Sequence, residues 1–195
     1  MHLNTKATPE LMKAENYDVV LAAVGAQPVK PPISGSDNPN VVFATEALMN
    51  ADALGKEVVI IGGGEVGVEA GIHLARKGHN VTVIEMRDTL AADATLMHYR
   101  TMFEAAWEEL DNFKYILKAR CSAIKAKQVS YIDTDGKEQT INADSVVLSA
   151  GMKAKKAEAL DFYGTADRFY MIGDCKKPAD IQQTMRSAFS TASRI

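Results

Sequence analysis

The chain has 195 residues, 47% of them hydrophobic, and a formal net charge of −3 with both signs interspersed. That is enough apolar content for a core, while the lack of a basic tract argues against nucleic acid or an anionic membrane surface as partner. No run reaches the roughly 18 apolar residues of a membrane span and residues 1–6 lack the apolar centre of a signal peptide, so a soluble, cytoplasmic protein of one large or two small domains is expected.

The first structural signal is residues 17–24 (YDVVLAAV), which read as a buried strand. It runs into Gly25-Ala26-Gln27-Pro28 and a proline-rich stretch through Pro31, Pro32, Gly35 and Pro39, which reads as a linker. Residues 45–53 suit a short helix capped by Thr45.

Val58, Val59, Ile60 and Ile61 then form the continuous apolar run of a parallel strand buried on both faces. Gly62, Gly64 and Gly67 follow as G-x-G-x-x-G, with Gly63 between the first two, and open a helix expected over residues 65–77 with Gly78 as its stop. In such a turn the first glycine permits the bend, the second admits a pyrophosphate to the backbone, and the third lets helix and sheet touch. Gly67, Gly71 and Ala75 recur four apart, leaving one helix face small enough to lie against the sheet. Amide groups at the helix start, Glu65 and Val66 included, suit a diphosphate.

The next strand, residues 80–84, ends at Glu85, eighteen positions after Gly67 and followed by Met86 and Arg87. An acid at about this offset grips a ribose 2′-OH, which favours NAD(H), whereas Arg87 could receive the 2′-phosphate of NADP(H).

Residues 87–95 read as irregular and residues 96–110 as a helix with Phe103, Ala106, Trp107 and Leu110 at core spacing. Residues 113–117 suit a third parallel strand. Residues 119–127, 128–134 and 137–143 alternate, with Asp135-Gly136 as turn chemistry, and predict an antiparallel ribbon that crosses back to the sheet. Residues 144–150 return as a buried strand ending at Gly151. Residues 169–172 form a last strand, leading through Gly173-Asp174 to a helix over residues 178–194 with Pro178 in its first turn.

The two cysteines, Cys121 and Cys175, lie 54 positions apart, so neither a CxxC pair nor a zinc spacing exists, and Cys175 reads as a small packing residue. His2, His73, His79 and His98 form no metal-ligand pattern, and His73 and His79 read as solvated.

The strands YDVVLAAVGAQP and ADSVVLSAGMKA flank one GGGEVG unit, and YMIGDC follows. Together these motifs resemble the pyridine nucleotide-disulfide oxidoreductase superfamily, and MIGDCKKPADIQQTMRSAFSTA is similar to the C-terminal part of NADH:flavin oxidoreductases of the 2,4-dienoyl-CoA reductase and enoate reductase type. The resemblance covers residues 17–195 and implies an α/β fold: a Rossmann-like three-layer dinucleotide-binding domain with an antiparallel ribbon crossover, flanked by incomplete FAD-domain segments. The implied division is residues 1–40 as a partial FAD segment and linker, 41–152 as the NAD(P)H-binding domain, and 153–195 as a second FAD segment.

It further implies that Gly62, Gly63, Gly64, Glu65, Val66 and Gly67 cradle the nicotinamide dinucleotide with Glu85, Met86 and Arg87 at its ribose. Gly25 and Gly151 would end strands at domain crossings, Gly151 close to the dinucleotide, and Gly173 with Asp174 would meet the FAD ribityl or pyrophosphate. The chain carries one glycine fingerprint where a complete flavoprotein of this type carries two, and shows no trace of the FMN and iron-sulfur barrel of the dienoyl reductase type. The expectation is a C-terminal portion of a longer oxidoreductase that passes a hydride from NADH to FAD, a transfer needing orientation rather than a catalytic side chain. Two other readings remain: an NAD(H)-binding module without chemistry, serving as sensor or assembly surface, and a methyltransferase, which also uses a glycine turn and an acid.

Overall fold

The computed structural model describes residues 1–94 and 97–195, the side chains of residues 97–99 excepted. The expected helix start at Leu96 and the side chain of His98 lie outside the described residues. In chain order the elements are α1 (Pro9–Glu15), β1 (Val19–Ala22), β2 (Ala26–Pro28), β3 (Val41–Phe43), α2 (Ala44–Met49), β4 (Glu57–Ile61), α3 (Glu65–Arg76), β5 (Asn80–Ile84), α4 (Met97–Glu108) and β6 (Phe113–Ile116). There follow β7 (Arg120–Lys125), β8 (Gln128–Ile132), β9 (Glu138–Asn142), β10 (Ser145–Leu148), β11 (Met152–Ala154), α5 (Lys156–Leu160), β12 (Arg168–Met171) and α6 (Ile181–Ala192). They fall into two compact units, Pro28–Gly151 and a smaller one made of Met1–Gln27 with Met152–Ile195.

The larger unit is a three-layer α/β domain. Its parallel sheet has the order β3-β10-β4-β5-β6. Successive residues of β4 feed opposite faces, as the pleat requires. Val58 and Ile60 join Val68, Leu74, Val81, Val83, Trp107, Phe113 and Val147 in a core on the side of α2, α3 and α4. Val59 and Ile61 join Ile84, Ile124, Val129, Val146 and Leu148 in a second core under the antiparallel sheet β7-β8-β9. That sheet is the expected ribbon, and it covers the face where a crossover helix would otherwise lie.

Helix α3 lies against the sheet because it is small where it touches. A Cβ on Gly71 would stand 2.6 Å from a ring carbon of Phe113 and 3.3 Å from Ile60 Cδ1. Trp107 of α4 stacks on Phe113, ring centroids 6.1 Å apart and planes 11° from parallel, so it is a core residue as its spacing predicted. The proline-rich stretch belongs to the larger unit: Ile33 packs on the ribbon core and Ile124 donates its amide to Ser34 O at 2.7 Å.

Element ends depart from the sequence expectation where a carboxylate supplies the cap. Helix α2 begins at Ala44, not after Thr45, and Glu46 Oε2 accepts the Phe43 amide at 3.0 Å. Helix α6 begins at Ile181 because Asp180 Oδ1 accepts the Gln183 amide at 2.6 Å, which leaves Pro178 outside the helix. The unexpected α1 has the same logic, with Thr8 Oγ1 accepting from Leu11 and Pro9 at the first helical position.

In the smaller unit β1 pairs parallel with β12, β2 with β11, and Ala22, Ala159 and Cys175 form a small core with Phe169 and Met171 against it. The amphipathic α6 has no buried residue and exposes Ile181, Met185 and Phe189 along one stripe. No described helix is long and apolar enough to cross a membrane.

Candidate functional site

The strands of the large sheet end level. Leu148 pairs with both Phe43 and Ile61, Ile61 with Ile84, and Ile84 with Ile116. The connections leaving β4, β5 and β10 therefore emerge side by side where strand order reverses, the position at which open parallel sheets bind ligands.

The first connection is the glycine turn. Gly62 has φ +105°, and a Cβ there would stand 2.3 Å from Ser149 O, so only glycine fits. Gly67, in the first turn of α3, sits where a Cβ would be 2.0 Å from Gly62 O, which brings the helix start onto the turn. Gly64 differs: a Cβ on it would find nothing within 4 Å. Open space thus lies beside the backbone where α3 begins.

The second connection is Glu85. It is 9% exposed, and its carboxylate is shared by two amides, Gly63 donating to Oε2 at 2.5 Å and Arg87 to Oε1 at 2.8 Å. Arg87 places Nη1 2.8 Å from Asp93 Oδ1, and that hydrogen bond, with the charge behind it, holds the guanidinium protonated above its ordinary range.

These groups line one cavity of about 590 Å³, together with Met86, Glu65, Val66, Thr89, Ala92, Arg120, Cys121, Pro31–Ile33 and residues 149–151. Of the residues singled out from sequence, Gly62, Gly63, Gly64, Glu65, Val66, Glu85, Met86, Arg87 and Gly151 are on its wall, and Gly67 lies behind the turn. Gly25, Gly173 and Asp174 belong to the smaller unit, where they line a second cavity of about 380 Å³ with Ala23, Ile172, Ala179, Thr184 and Met185. Asp174 Oδ1 accepts from the Ala179 amide at 3.3 Å and the Thr184 hydroxyl at 3.4 Å.

The model of the family described as pyridine nucleotide-disulphide oxidoreductase matches residues 4–188. The chain belongs to that family. It is 32% identical over 195 residues to the bilirubin reductase of Mediterraneibacter gnavus, covering 98% of this chain and 30% of that protein. It is also 32% identical to the cinnamate reductase of Clostridium sporogenes, covering 99% of this chain and 29% of that protein. The solved 2-naphthoyl-CoA reductase complexed with 2-naphthoyl-CoA superposes with a TM-score of 0.90 at 30% identity, over 99% of this chain and 29% of that one. The chain thus spans about three tenths of the length of these relatives.

Pyridine nucleotide-disulphide oxidoreductases use FAD and a nicotinamide dinucleotide, and the larger cavity suits the latter. Its open ground at Gly64 leaves room for a diphosphate beside the start of α3, and Glu85 stands at the neighbouring strand end. The disulphide of the family name has no counterpart in these cysteines: Cys121 and Cys175 are both free and buried. Burial pushes the Cys121 thiol up to about 11, and Cys175 Sγ donates to Ala22 O at 3.2 Å. Neither is placed as a nucleophile. Among the described residues no three His, Cys, Asp or Glu converge on a metal position. His79 is not merely solvated, since Nδ1 lies 2.8 Å from Gly55 O.

Sequence reasoning missed Asp93, Arg120, Cys121 and the 31–33 wall. Asp93 stands in an irregular segment and Pro31–Ile33 in what reads as a linker, and neither carries a periodic signal.

Proposed function

We propose that this chain is the NADH-binding part of a flavoprotein oxidoreductase, in which a hydride passes from NADH to FAD. The observation that carries the reading is the cavity in which the glycine turn, the α3 start and Glu85 converge. The diphosphate would lie beside Gly64 on the amides of residues 64–66, and the adenosine ribose would donate its hydroxyls to Glu85 in place of a backbone amide. Gly151 and Ser149, at the end of β10, would border the nicotinamide end. The smaller unit would contribute to FAD binding through Gly25, Gly173 and Asp174, with the positive end of α6 toward the flavin.

When bound, the dinucleotide would supply the hydride and the flavin would accept it. The protein's task is to orient the two rings and exclude water, which needs no acid or base. A free 2′-OH suits Glu85 and a 2′-phosphate does not, so NADH is preferred over NADPH. The acceptor beyond the flavin is proposed to be an enoyl or enoate-type substrate, in keeping with the names of the cinnamate and 2-naphthoyl-CoA reductases. Its site, with the rest of the FAD domain and an FMN and iron-sulfur barrel, would belong to further sequence of a longer protein.

Calorimetric titration of the chain with NADH, NADPH and FAD tests this. Binding of NADH at micromolar to millimolar concentration, weaker binding of NADPH, and little retained flavin are expected. Absence of heat with every nicotinamide nucleotide at millimolar concentration would overturn it.

A further inference from the structure

The cavity rim contains an ion pair that the glycine turn and its acid do not explain. Arg87 follows Glu85 by two positions, where a guanidinium could receive a 2′-phosphate. Its Nη1 is instead 2.8 Å from Asp93 Oδ1, and both residues line the cavity. The segment between them is held in place. Leu90 is buried at 2% exposure, and Ala91, at φ +47°, donates its amide to Gly63 O at 2.8 Å. Thr89 Oγ1 accepts from Arg100 Nη2 at 2.5 Å, and Arg100 is paired in turn with Glu104. The Arg87 carbonyl accepts the Lys118 amide at 2.9 Å, which fixes the other end. Asp93 is thereby presented to Arg87 by a loop anchored on the glycine turn itself.

We infer that Asp93 is a specificity-determining residue: it occupies the Arg87 guanidinium, so that an adenosine bearing a 2′-phosphate loses that partner and is disfavoured against one bearing a free 2′-OH. This deepens the proposed NADH-binding reading and rests on it. The chemistry is competitive. A phosphate and a carboxylate seek the same forked donor, and a loop-held carboxylate reaches it without the ordering that an incoming ligand must undergo. Removing the carboxylate leaves Arg87 as an unpaired cation at the rim.

The test is the ratio of NADPH to NADH dissociation constants, measured by calorimetry on the chain. Asp93→Asn and Asp93→Ser are expected to shift that ratio about fivefold toward NADPH, the scale of one exposed charge pair. The shift is expected to shrink in high salt and to vanish when Arg87→Gln is added to Asp93→Asn. A role confined to holding the loop would weaken both nucleotides together and leave the ratio unmoved. An unchanged ratio in both Asp93 variants, or a shift that persists without Arg87, overturns the inference while NADH binding stands. If the unsubstituted chain binds neither nucleotide, the reading beneath it fails and the inference falls with it.

Discussion

Glu85 and Gly63 are joined across neighbouring strand ends, the Gly63 amide donating to the Glu85 carboxylate at 2.5 Å. The carboxylate on the cavity wall is therefore also a structural clasp on the turn that lines it. Glu85→Ala removes an acceptor from two amides, those of Gly63 and Arg87. Urea unfolding is expected to show a loss of about 1–3 kcal/mol, with NADH affinity falling in parallel. Glu85→Gln retains one acceptor oxygen and is expected to recover part of the stability and less of the affinity. Full affinity in the alanine variant would remove Glu85 from the nucleotide site.

Gly64 and Gly67 separate space for a ligand from space for the fold. Gly64→Ala meets no protein atom within 4 Å at a φ of −68°, which alanine adopts freely. It is expected to leave the melting temperature unchanged and to weaken NADH by tenfold or more, about 1.4 kcal/mol, by filling the ground beside the amides. Gly67→Ala drives a Cβ to 2.0 Å from Gly62 O, so helix and turn must part and both stability and affinity fall. Circular dichroism melts with paired titrations distinguish the two.

Trp107 supports the α4 layer through its stack on Phe113. Trp107→Ala is expected to cost about 3–5 kcal/mol. As Trp107 is the chain's one tryptophan, unfolding of this variant is followed by far-ultraviolet circular dichroism. Trp107→Phe should recover more than half of the loss.

Cys121 gives a pH signature. Its thiol is raised from 9.0 to about 11 by burial, so the native chain favours the neutral form more than the unfolded chain does. The sign follows: the stabilising contribution is complete below pH 9, is lost as pH rises from there through about 11, and changes no further above that. Cys121→Ala is expected to flatten that part of the stability curve. Iodoacetamide should label native chain slowly at pH 8 and label both cysteines in urea, since both are buried.

The larger unit was legible wherever one residue type has one physical use. Val58–Ile61 as a doubly buried strand, Gly78 as a helix stop, Asp135-Gly136 as a hairpin turn and Trp107 as core all follow from local chemistry. Legibility failed where a distant partner decides. Ile33 and Ser34 are fixed by β7, some ninety residues on, so their segment reads as a linker. Asp93 owes its importance to Arg87 and to a loop pinned on Gly63, which no spacing rule encodes. Helix starts moved by a few residues because Glu46 and Asp180 supply caps that outweigh Thr45 and Pro178.

Strand β10 lies between β3 and β4, although it is made after every other strand of that sheet. During synthesis on the ribosome, the two halves of the sheet would each present a bare, apolar flank until residues 145–148 clear the exit tunnel. Nascent chains halted before that point would be strong clients for chaperones, and closure of the domain would be a single late event rather than a gradual one.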